Sequence, residues 1–198
     1  MQLVFATNNL NKLSELQDLL PSNIELIGLK DIGCNQELPE TQKTLQGNAM
    51  QKAEFVFEHF GYTCFADDTG LEVGALKNEP GVYSARYAGQ NCSPNDNIQK
   101  VLKKLVGRND RNARFRTVIA LIIDGKKSLF EGECKGKITK ERKGEKGFGY
   151  DPIFYLPEFE KTMAELDPNS KNRVSHRGKA VRQAMLLLRR LMKQEKLL

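Results

Sequence analysis

Two adjacent aspartates, Asp67 and Asp68, follow a short apolar segment, residues 63–66, that is typical of a buried strand. Neighbouring carboxylates at such a place point in different directions, and α/β folds bind their ligands at the carboxyl ends of strands. Carboxylate oxygens suit Mg²⁺, which binds one or two of them together with substrate phosphates. Glu40 is a third candidate oxygen donor. The alternative is an ordinary turn at residues 67–70, capped by an aspartate, with Glu40 as a solvated loop acid.

The opening stretch, residues 7–12, is a second candidate site. It lies between an apolar segment, residues 3–6, and a helix-like repeat of leucines. Backbone N–H groups and the positive end of a helix dipole meet at such a junction, and Lys12 adds a charge suited to phosphate. The segment lacks both glycines of a Walker loop. It is therefore either a phosphate cradle or an Asn-capped helix start.

The sequence also suggests where an aromatic base would bind. Residues 147–152, Gly-Phe-Gly-Tyr-Asp-Pro, place two glycines around Phe148. A glycine-flanked ring, Phe148 or Tyr150, is a natural platform for stacking a base. The alternative is an aromatic side chain buried under a hairpin.

A basic group precedes the last predicted helix. It contains Lys171, His176 and Arg177, whose donors could read a base edge or hold a phosphate. The alternative is a serine N-cap, Ser175, with basic neighbours.

The elements that must position these residues follow from the apolar periodicity. Leu13, Leu16, Leu19 and Leu20 recur at helical spacing until Pro21 ends the pattern. The dipeptide at residues 124–125, Asp-Gly, predicts a hairpin turn. Strands are predicted at residues 3–6, 25–29, 63–66, 117–123, 127–137 and 152–156, and further helices at 45–60, 95–106 and about 178–193. Helices alternate with strands early and hairpins follow, so a mixed sheet in an α/β or α+β fold is expected.

Composition and charge exclude several classes of protein. The chain has 198 residues, 39% hydrophobic and 28% charged, as in soluble globular proteins. No apolar run approaches the roughly 20 residues of a membrane span, and the N-terminus lacks the form of a signal peptide. The four cysteines are far apart, which favours free thiols over a metal site. A cytoplasmic protein without membrane association is expected.

The net charge of +6 is concentrated near the C-terminus. Nine Lys or Arg and one acid lie from residue 171 onward, so residues 1–170 carry −2. This pattern is typical of the solvated face of a terminal helix, and a stable partnership with nucleic acid is not expected.

The order of these segments resembles one family. FATNNLNK, LPET, NAMQKA, FADDTGLEV, PGVYSARY, GFGYDPIF and SHRGKA together resemble the inosine triphosphate pyrophosphatase family, from residue 4 to about residue 184. The resemblance implies Mg²⁺-dependent hydrolysis of non-standard purine nucleoside triphosphates (ITP, dITP, XTP) to the monophosphate and pyrophosphate, by a homodimer that cleans the nucleotide pool. It implies a single domain over residues 1–198, with an elongated, two-lobed α/β fold. A long mixed sheet with flanking helices would run through it, and the active-site cleft would lie between the lobes.

The resemblance also implies roles for individual residues. Glu40 and Asp68 would bind the metal, and Asp68 would be the catalytic residue that activates water, with Asp67 as the alternative proton acceptor. The substrate-binding residues would be Thr7, Asn8, Asn9, Leu10, Asn11, Lys12, Lys52, Thr69, Phe148, Gly149, Tyr150, Asp151, Lys171, His176 and Arg177. The family commonly has Thr-Gly-Asn where this chain has Thr7-Asn8-Asn9. Asn tolerates a left-handed backbone better than most residues, so the turn is expected to survive.

Two other functions compete with this interpretation. One is a pyrophosphatase of similar fold that prefers pyrimidine or modified nucleotides. The other is a non-catalytic nucleotide or RNA binder that uses the basic C-terminal segment. The acids Glu40, Asp67 and Asp68 speak against the second, because a pure phosphate binder would not place carboxylates near its ligand.

Overall fold

The computed structural model describes residues 2–17, 20 and 23–195. Its strands are β1 (Gln2–Phe5), β2 (Glu25–Ile27), β3 (Cys64–Val73), β4 (Glu79–Gly81), β5 (Asn112–Ile123), β6 (Lys126–Ile138), β7 (Phe154–Leu156) and β8 (Lys161–Thr162). Its helices are α1 (Leu10–Gln17), α2 (Leu45–Phe60), α3 (Pro94–Lys104), α4 (Pro168–Val174) and α5 (His176–Glu195). The protein is thus an α/β protein, as the sequence predicts.

The eight strands form one mixed sheet. The strand order is β2–β1–β3–β5–β6–β7–β8, and β4 pairs with β3. Strand β1 is parallel to both β2 and β3, whereas β4 pairs with β3, β7 with β6 and β8 with β7 in antiparallel fashion. Parallel pairs connected by helices come first along the chain and hairpin-type pairs come later, which confirms the predicted mixed sheet.

The chain divides into two compact units. The first comprises Met1–Asp68, Thr117–Gly132 and Arg177–Leu198. Its core packs α1 and α5 against one face of the sheet, through residues such as Leu16 and Val181 on the helices and Phe5 and Phe65 on the strands. The rings of Phe5 and Phe65 stack with centroids 4.5 Å apart.

The second unit comprises Thr69–Arg116 and Glu133–His176. Its core includes Leu71 of β3, Ile98 of α3, Phe115 of β5 and Phe154 of β7, all of them buried. The rings of Phe115 and Phe154 contact each other, with centroids 4.5 Å apart.

Local signals placed several element ends correctly. Thr44 caps α2 by accepting a hydrogen bond from the Gly47 N–H, and Gly61 ends that helix with a left-handed backbone. Ser93 caps α3 by accepting a hydrogen bond from the Asp96 N–H. The predicted hairpin turn at residues 124–125 is confirmed, with positive φ at both residues.

Other boundaries differ from the prediction. Strand β3 does not end at residue 66 but continues through the polar residues to Val73. The last helix begins at His176, two residues earlier than expected, and the short helix α4 precedes it. Helix α1 is described to Gln17, and the predicted contributions of Leu19 and Pro21 lie outside the described residues.

All four cysteines lie among the described residues. Cys34, Cys64, Cys92 and Cys134 are free, and all except Cys92 are buried. None of the helices in the described part of the chain is both long and apolar enough to span a membrane.

Candidate active site

The turn after β1 is organised by its own side chains. The Ala6 N–H donates to the Phe65 carbonyl over 2.8 Å, so the chain leaves the sheet beside the start of β3. Asn9 caps α1, because its Oδ1 accepts hydrogen bonds from the N–H groups of Asn11 (3.0 Å) and Lys12 (3.3 Å). Thr7 is buried, and its Oγ1 accepts from the Asn9 N–H over 3.2 Å. These hydrogen bonds fix the start of α1, and the Lys12 side chain extends from its first helical turn.

Asn8 fits this turn without a left-handed backbone. Positive φ values at non-glycine residues occur at Lys77, Asn78, Asp124 and Glu160 among the described residues, and Asn8 is not one of them. The Asn that replaces the family's usual glycine is therefore accommodated without the backbone tolerance that the sequence argument invoked. Its side chain is exposed at the start of the turn.

Alternation along β3 directs the two aspartates to opposite faces of the sheet. Asp67 shares a face with Phe65, the face covered by α1 and α5. There its Oδ1 lies 2.8 Å from Lys12 Nζ and its Oδ2 lies 3.3 Å from Arg177 Nε. Asp67 is completely buried. The turn interpretation of residues 67–70 is therefore wrong, since these residues belong to a strand whose carboxylates have partners on the helices.

Asp68 faces α2 instead. The buried Asn48 donates from Nδ2 to Asp68 Oδ2 over 3.0 Å, while its Oδ1 accepts from the Gln42 N–H over 2.9 Å. Lys52, one helical turn further along α2, donates to Glu40 Oε1 over 2.5 Å and to the Asp67 carbonyl over 2.8 Å. One face of α2 thus brings together Asp68 and the loop that carries Glu40.

The electrostatics of the two aspartates differ accordingly. Burial opposes ionisation of Asp67, but the charges of Lys12, Arg177 and Lys52 outweigh it and hold the pKa of Asp67 well below its usual range. Burial raises the pKa of Asp68; the Lys52 ammonium opposes this rise, and the Glu40 carboxylate adds to it. Asp67 is therefore a fixed negative charge, whereas Asp68 is the carboxylate more disposed to accept a proton.

The donors around Asp68 suit a hard cation that arrives with phosphates. Glu40 is close enough to Asp68 to raise the pKa of that carboxyl, and both carboxylates lie near Lys52. No group of three or more His, Cys, Asp or Glu in the described ranges is arranged to hold a metal. A pair of carboxylates such as Glu40 and Asp68 suits Mg²⁺, which binds one or two carboxylates while substrate phosphates and water complete its coordination.

In the second unit, Asp151 organises the glycine-flanked loop. Its Oδ2 accepts from the Phe148 N–H over 2.9 Å and pairs with Lys171 Nζ over 2.7 Å. The Lys171 ammonium also lies 5.2 Å from the centroid of the Phe148 ring, within reach of a cation–π interaction. A Cβ at Gly147 would come within 2.2 Å of Asp151 Oδ2, so the loop closes this tightly only with glycine there.

The two aromatic candidates have different environments. Tyr150 is buried and its hydroxyl donates to the Ser84 carbonyl over 2.9 Å, so it anchors the loop. Phe148 is half-buried, which leaves it as the stacking candidate. Gly149, between them, has a left-handed backbone with φ 60°.

The adjacent residues His176 and Arg177 belong to different units. The His176 ring is buried and stacks on Phe115 in the second unit, with centroids 4.6 Å apart. Arg177 joins Asp67 in the first unit. The sequence predicts one basic group, whereas the structure stacks His176 on Phe115 and pairs Arg177 with Asp67. Thr69 is half-buried on β3, directly after Asp68.

Sequence reasoning missed Asn48 and Ser84. Asn48 is a fully buried polar residue on the apolar face of α2, four residues before Lys52. That position, a polar side chain among Leu45, Ala49 and Ala53, was a signal that could have been used. Ser84 accepts from the Leu71 N–H through Oγ and from Tyr150 through its carbonyl, contacts for which the sequence has no local signal.

Comparisons with known proteins agree on one family. The Ham1 family model matches residues 3–186. The dITP/XTP pyrophosphatase of Flavobacterium johnsoniae is 53% identical over 188 residues, which cover 95% of this chain and 98% of that protein. The dITP/XTP pyrophosphatase of Christiangramia forsetii is 54% identical over 185 residues, 93% of this chain and 97% of that protein.

Solved structures show the same similarity. The Ham1 protein of Staphylococcus aureus superimposes with a TM-score of 0.87 at 40% identity, covering 96% of this chain and 98% of that one. The HAM1 protein of Coxiella burnetii gives a TM-score of 0.88 at 40% identity, with 96% and 99% of the two chains covered.

Proposed function

This chain belongs to the Ham1 family, and we propose that it hydrolyses ITP, dITP and XTP to the nucleoside monophosphate and pyrophosphate. It is then a nucleoside-triphosphate pyrophosphatase that removes non-standard purine nucleotides from the nucleotide pool. The relatives named dITP/XTP pyrophosphatase, matched over nearly their whole length, support this reaction. The observation that carries it is the convergence of Lys12, Lys52 and Arg177 on Asp67, beside Asp68.

The cations are the residues assigned to the triphosphate. Lys12 and Lys52 come from different helices, and both donate to Asp67, Lys52 through the backbone carbonyl. Phosphoryl-type transfer needs little covalent help from the protein, so positioning and charge stabilisation supply most of the acceleration. The turn of residues 7–12 would bind phosphate oxygens through its backbone N–H groups and side chains.

Asp68 is the residue assigned to the attacking water. Hydrolysis at the α-phosphorus requires a water molecule to attack while pyrophosphate leaves, and a carboxylate within hydrogen-bond reach can orient that water and accept its proton. The hydrogen bond from Asn48 fixes Asp68 Oδ2, and burial raises the pKa of this carboxyl. Glu40 and Asp68 would hold Mg²⁺, which when bound neutralises negative charge on the phosphates.

Base recognition is assigned to the second unit. The Phe148 ring would stack on the purine, and Lys171 and His176 would donate hydrogen bonds to it. Hypoxanthine and xanthine present a carbonyl acceptor at the 6-position, whereas adenine presents an amine donor there. Donors that face a donor stay unpaired, and such mismatches in buried sites produce discrimination of roughly 10⁴-fold or more.

A panel of nucleotides tests the proposal. ITP, dITP, XTP, ATP, GTP, UTP and dTTP are each incubated with the purified protein, with and without Mg²⁺, and pyrophosphate release is measured. We expect the three non-standard purine nucleotides to be cleaved fastest, and only with Mg²⁺. Faster cleavage of UTP or dTTP would favour the pyrimidine-specific rival, and tight, salt-sensitive RNA binding without hydrolysis would favour the RNA binder.

We extend the proposal to assembly and location. The family resemblance supports a homodimer that acts in the cytoplasm. Light scattering on the eluting protein measures the assembly directly: a mass of twice the 22.4 kDa chain is expected, and a monomer mass at micromolar concentration would contradict it.

A further inference from the structure

Asp67 contacts three cations that come from three different helices. Its two carboxylate oxygens pair with Lys12 of α1 (2.8 Å) and Arg177 of α5 (3.3 Å). Its main-chain carbonyl accepts a hydrogen bond from Lys52 of α2 over 2.8 Å. These contacts make Asp67 the common partner of the cations assigned to the triphosphate.

Burial of Asp67, Lys12 and Arg177 restricts the conformations that the two cationic side chains can adopt. The Asp67 side chain is completely excluded from solvent, and the side chains of Lys12 and Arg177 are only 13% and 5% exposed. Lysine and arginine side chains are long and have many rotamers, so each cation would otherwise lose considerable freedom when it binds a phosphate. An ammonium has three N–H donors and a guanidinium has five, so pairing with one carboxylate does not exhaust either.

We infer that Asp67 is a positioning residue, which holds Lys12 and Arg177 in the arrangement that a triphosphate requires and does not itself accept the proton of the attacking water. The inference rests on the proposed function. Both carboxylate oxygens face cations of α1 and α5, whereas Asp68 points to the opposite face of the sheet, toward α2. Asp67 therefore acts on the reaction through the cations that it holds.

Steady-state kinetics of Asp67→Asn with ITP and Mg²⁺ test this role. The variant loses one negative charge and keeps the size of the side chain. Removing the negative charge of Asp67 strengthens the attraction of the cations for the triphosphate, which offsets the freedom that they lose on binding, so the KM for ITP is expected to change less than about threefold. Misplaced cations are expected to lower kcat by about 10- to 100-fold, since errors near 1 Å in positioning can cost about 10² in rate.

The pH profile separates positioning from acid–base catalysis. If the proton acceptor is elsewhere, the acid limb of the kcat profile persists in Asp67→Asn with the same apparent midpoint. Loss of that limb would overturn the inference, as would a kcat within twofold of wild type or a raised KM with unchanged kcat. Asp124→Asn is the matched control, because Asp124 is exposed in a hairpin turn that asparagine also favours.

A second variant and a wild-type assay complete the experiment. If Asp67→Asn does not fold, Asp67→Glu replaces it: this variant keeps the charge but moves the carboxylate by one methylene. It is expected to lose at least about tenfold in kcat, and full turnover would overturn the inference. Wild-type protein is assayed first, because its failure to cleave ITP would count against the proposed function and not specifically against the role of Asp67.

Discussion

Asp67 and Asp68 are neighbours in the chain, but they meet different parts of the protein. Asp67 lies against α1 and α5 and is paired with cations, whereas Asp68 lies against α2 and accepts from Asn48. The same difference separates their acidities, because the pKa of Asp67 is lowered and that of Asp68 is raised. At the scale of single residues, strand alternation therefore places Asp67 among the cations and Asp68 against α2, where we propose that it activates the water.

Asp68→Asn should lower kcat for ITP by about 10²-fold or more, the scale of a lost acid–base group. The substitution keeps the side chain's shape but removes its ability to accept a proton. It also removes one negative charge from the pair of carboxylates that we propose for Mg²⁺. Pyrophosphate release by the folded variant is the measurement, with Asp124→Asn as the control. Turnover near that of wild type would show that Asp68 has no catalytic role.

Asn48→Ala should weaken the Mg²⁺ binding that we propose for Asp68. The change removes the donor to Asp68 Oδ2 and the acceptor of the Gln42 N–H, so the carboxylate loses its fixed orientation. Loss of such an orienting partner typically costs about 10- to 100-fold in metal affinity or activity. The Mg²⁺ concentration that gives half-maximal rate should rise, and titration of the substrate-free protein with Mn²⁺ provides a reading independent of activity.

A matched control for that variant is Asn95→Ala, at an exposed position of α3. Unchanged Mg²⁺ dependence and unchanged Mn²⁺ binding in Asn48→Ala would show that Asn48 has only a packing role.

At the scale of elements, the loop that we propose for base binding depends on a glycine. The loop of residues 147–151 is closed by Asp151, which pairs with Lys171 of α4 and accepts from the Phe148 N–H. Gly147 lies directly against this carboxylate and has φ 74°, a backbone conformation that side chains disfavour. The loop can therefore hold Phe148 and Lys171 together only while residue 147 lacks a side chain.

Gly147→Ala should raise the KM for ITP by about tenfold or more, since a lost contact of about 1.4 kcal/mol corresponds to a tenfold change. The new methyl group would displace the Asp151 carboxylate and with it Lys171. Gly107→Ala is the control: its φ of 73° is almost the same, but a Cβ there would meet no atom of the described residues within 4 Å. Equal KM values for the two variants would show that backbone strain, and not the clash with Asp151, decides the effect.

At the scale of the whole molecule, structural features that depend on residues close together in the chain are predictable from the sequence. The ends of α2 follow from Thr44 and Gly61, and the hairpin follows from Asp124 and its glycine neighbour. The order of short motifs also predicted the family, which the comparisons confirm.

Features set by distant residues were not predictable from local pattern. Strand β3 continues through Asp67 and Asp68 only because side chains from α1, α2 and α5 satisfy these buried carboxylates. Likewise, the sequence does not predict that His176 and Arg177 have different surroundings, because these depend on which unit each side chain belongs to. The contribution of Asn48 depends on a loop residue, Gln42, that gives no local signal.

The most direct test of the proposed function compares ITP with ATP and identifies the products. Phosphorus NMR of the reaction distinguishes monophosphate plus pyrophosphate from diphosphate plus orthophosphate, and initial rates give kcat/KM for each nucleotide. The proposed site predicts IMP and pyrophosphate, with kcat/KM for ITP exceeding that for ATP by roughly 10⁴-fold. Formation of IDP and orthophosphate, or equal rates for ITP and ATP, would contradict it.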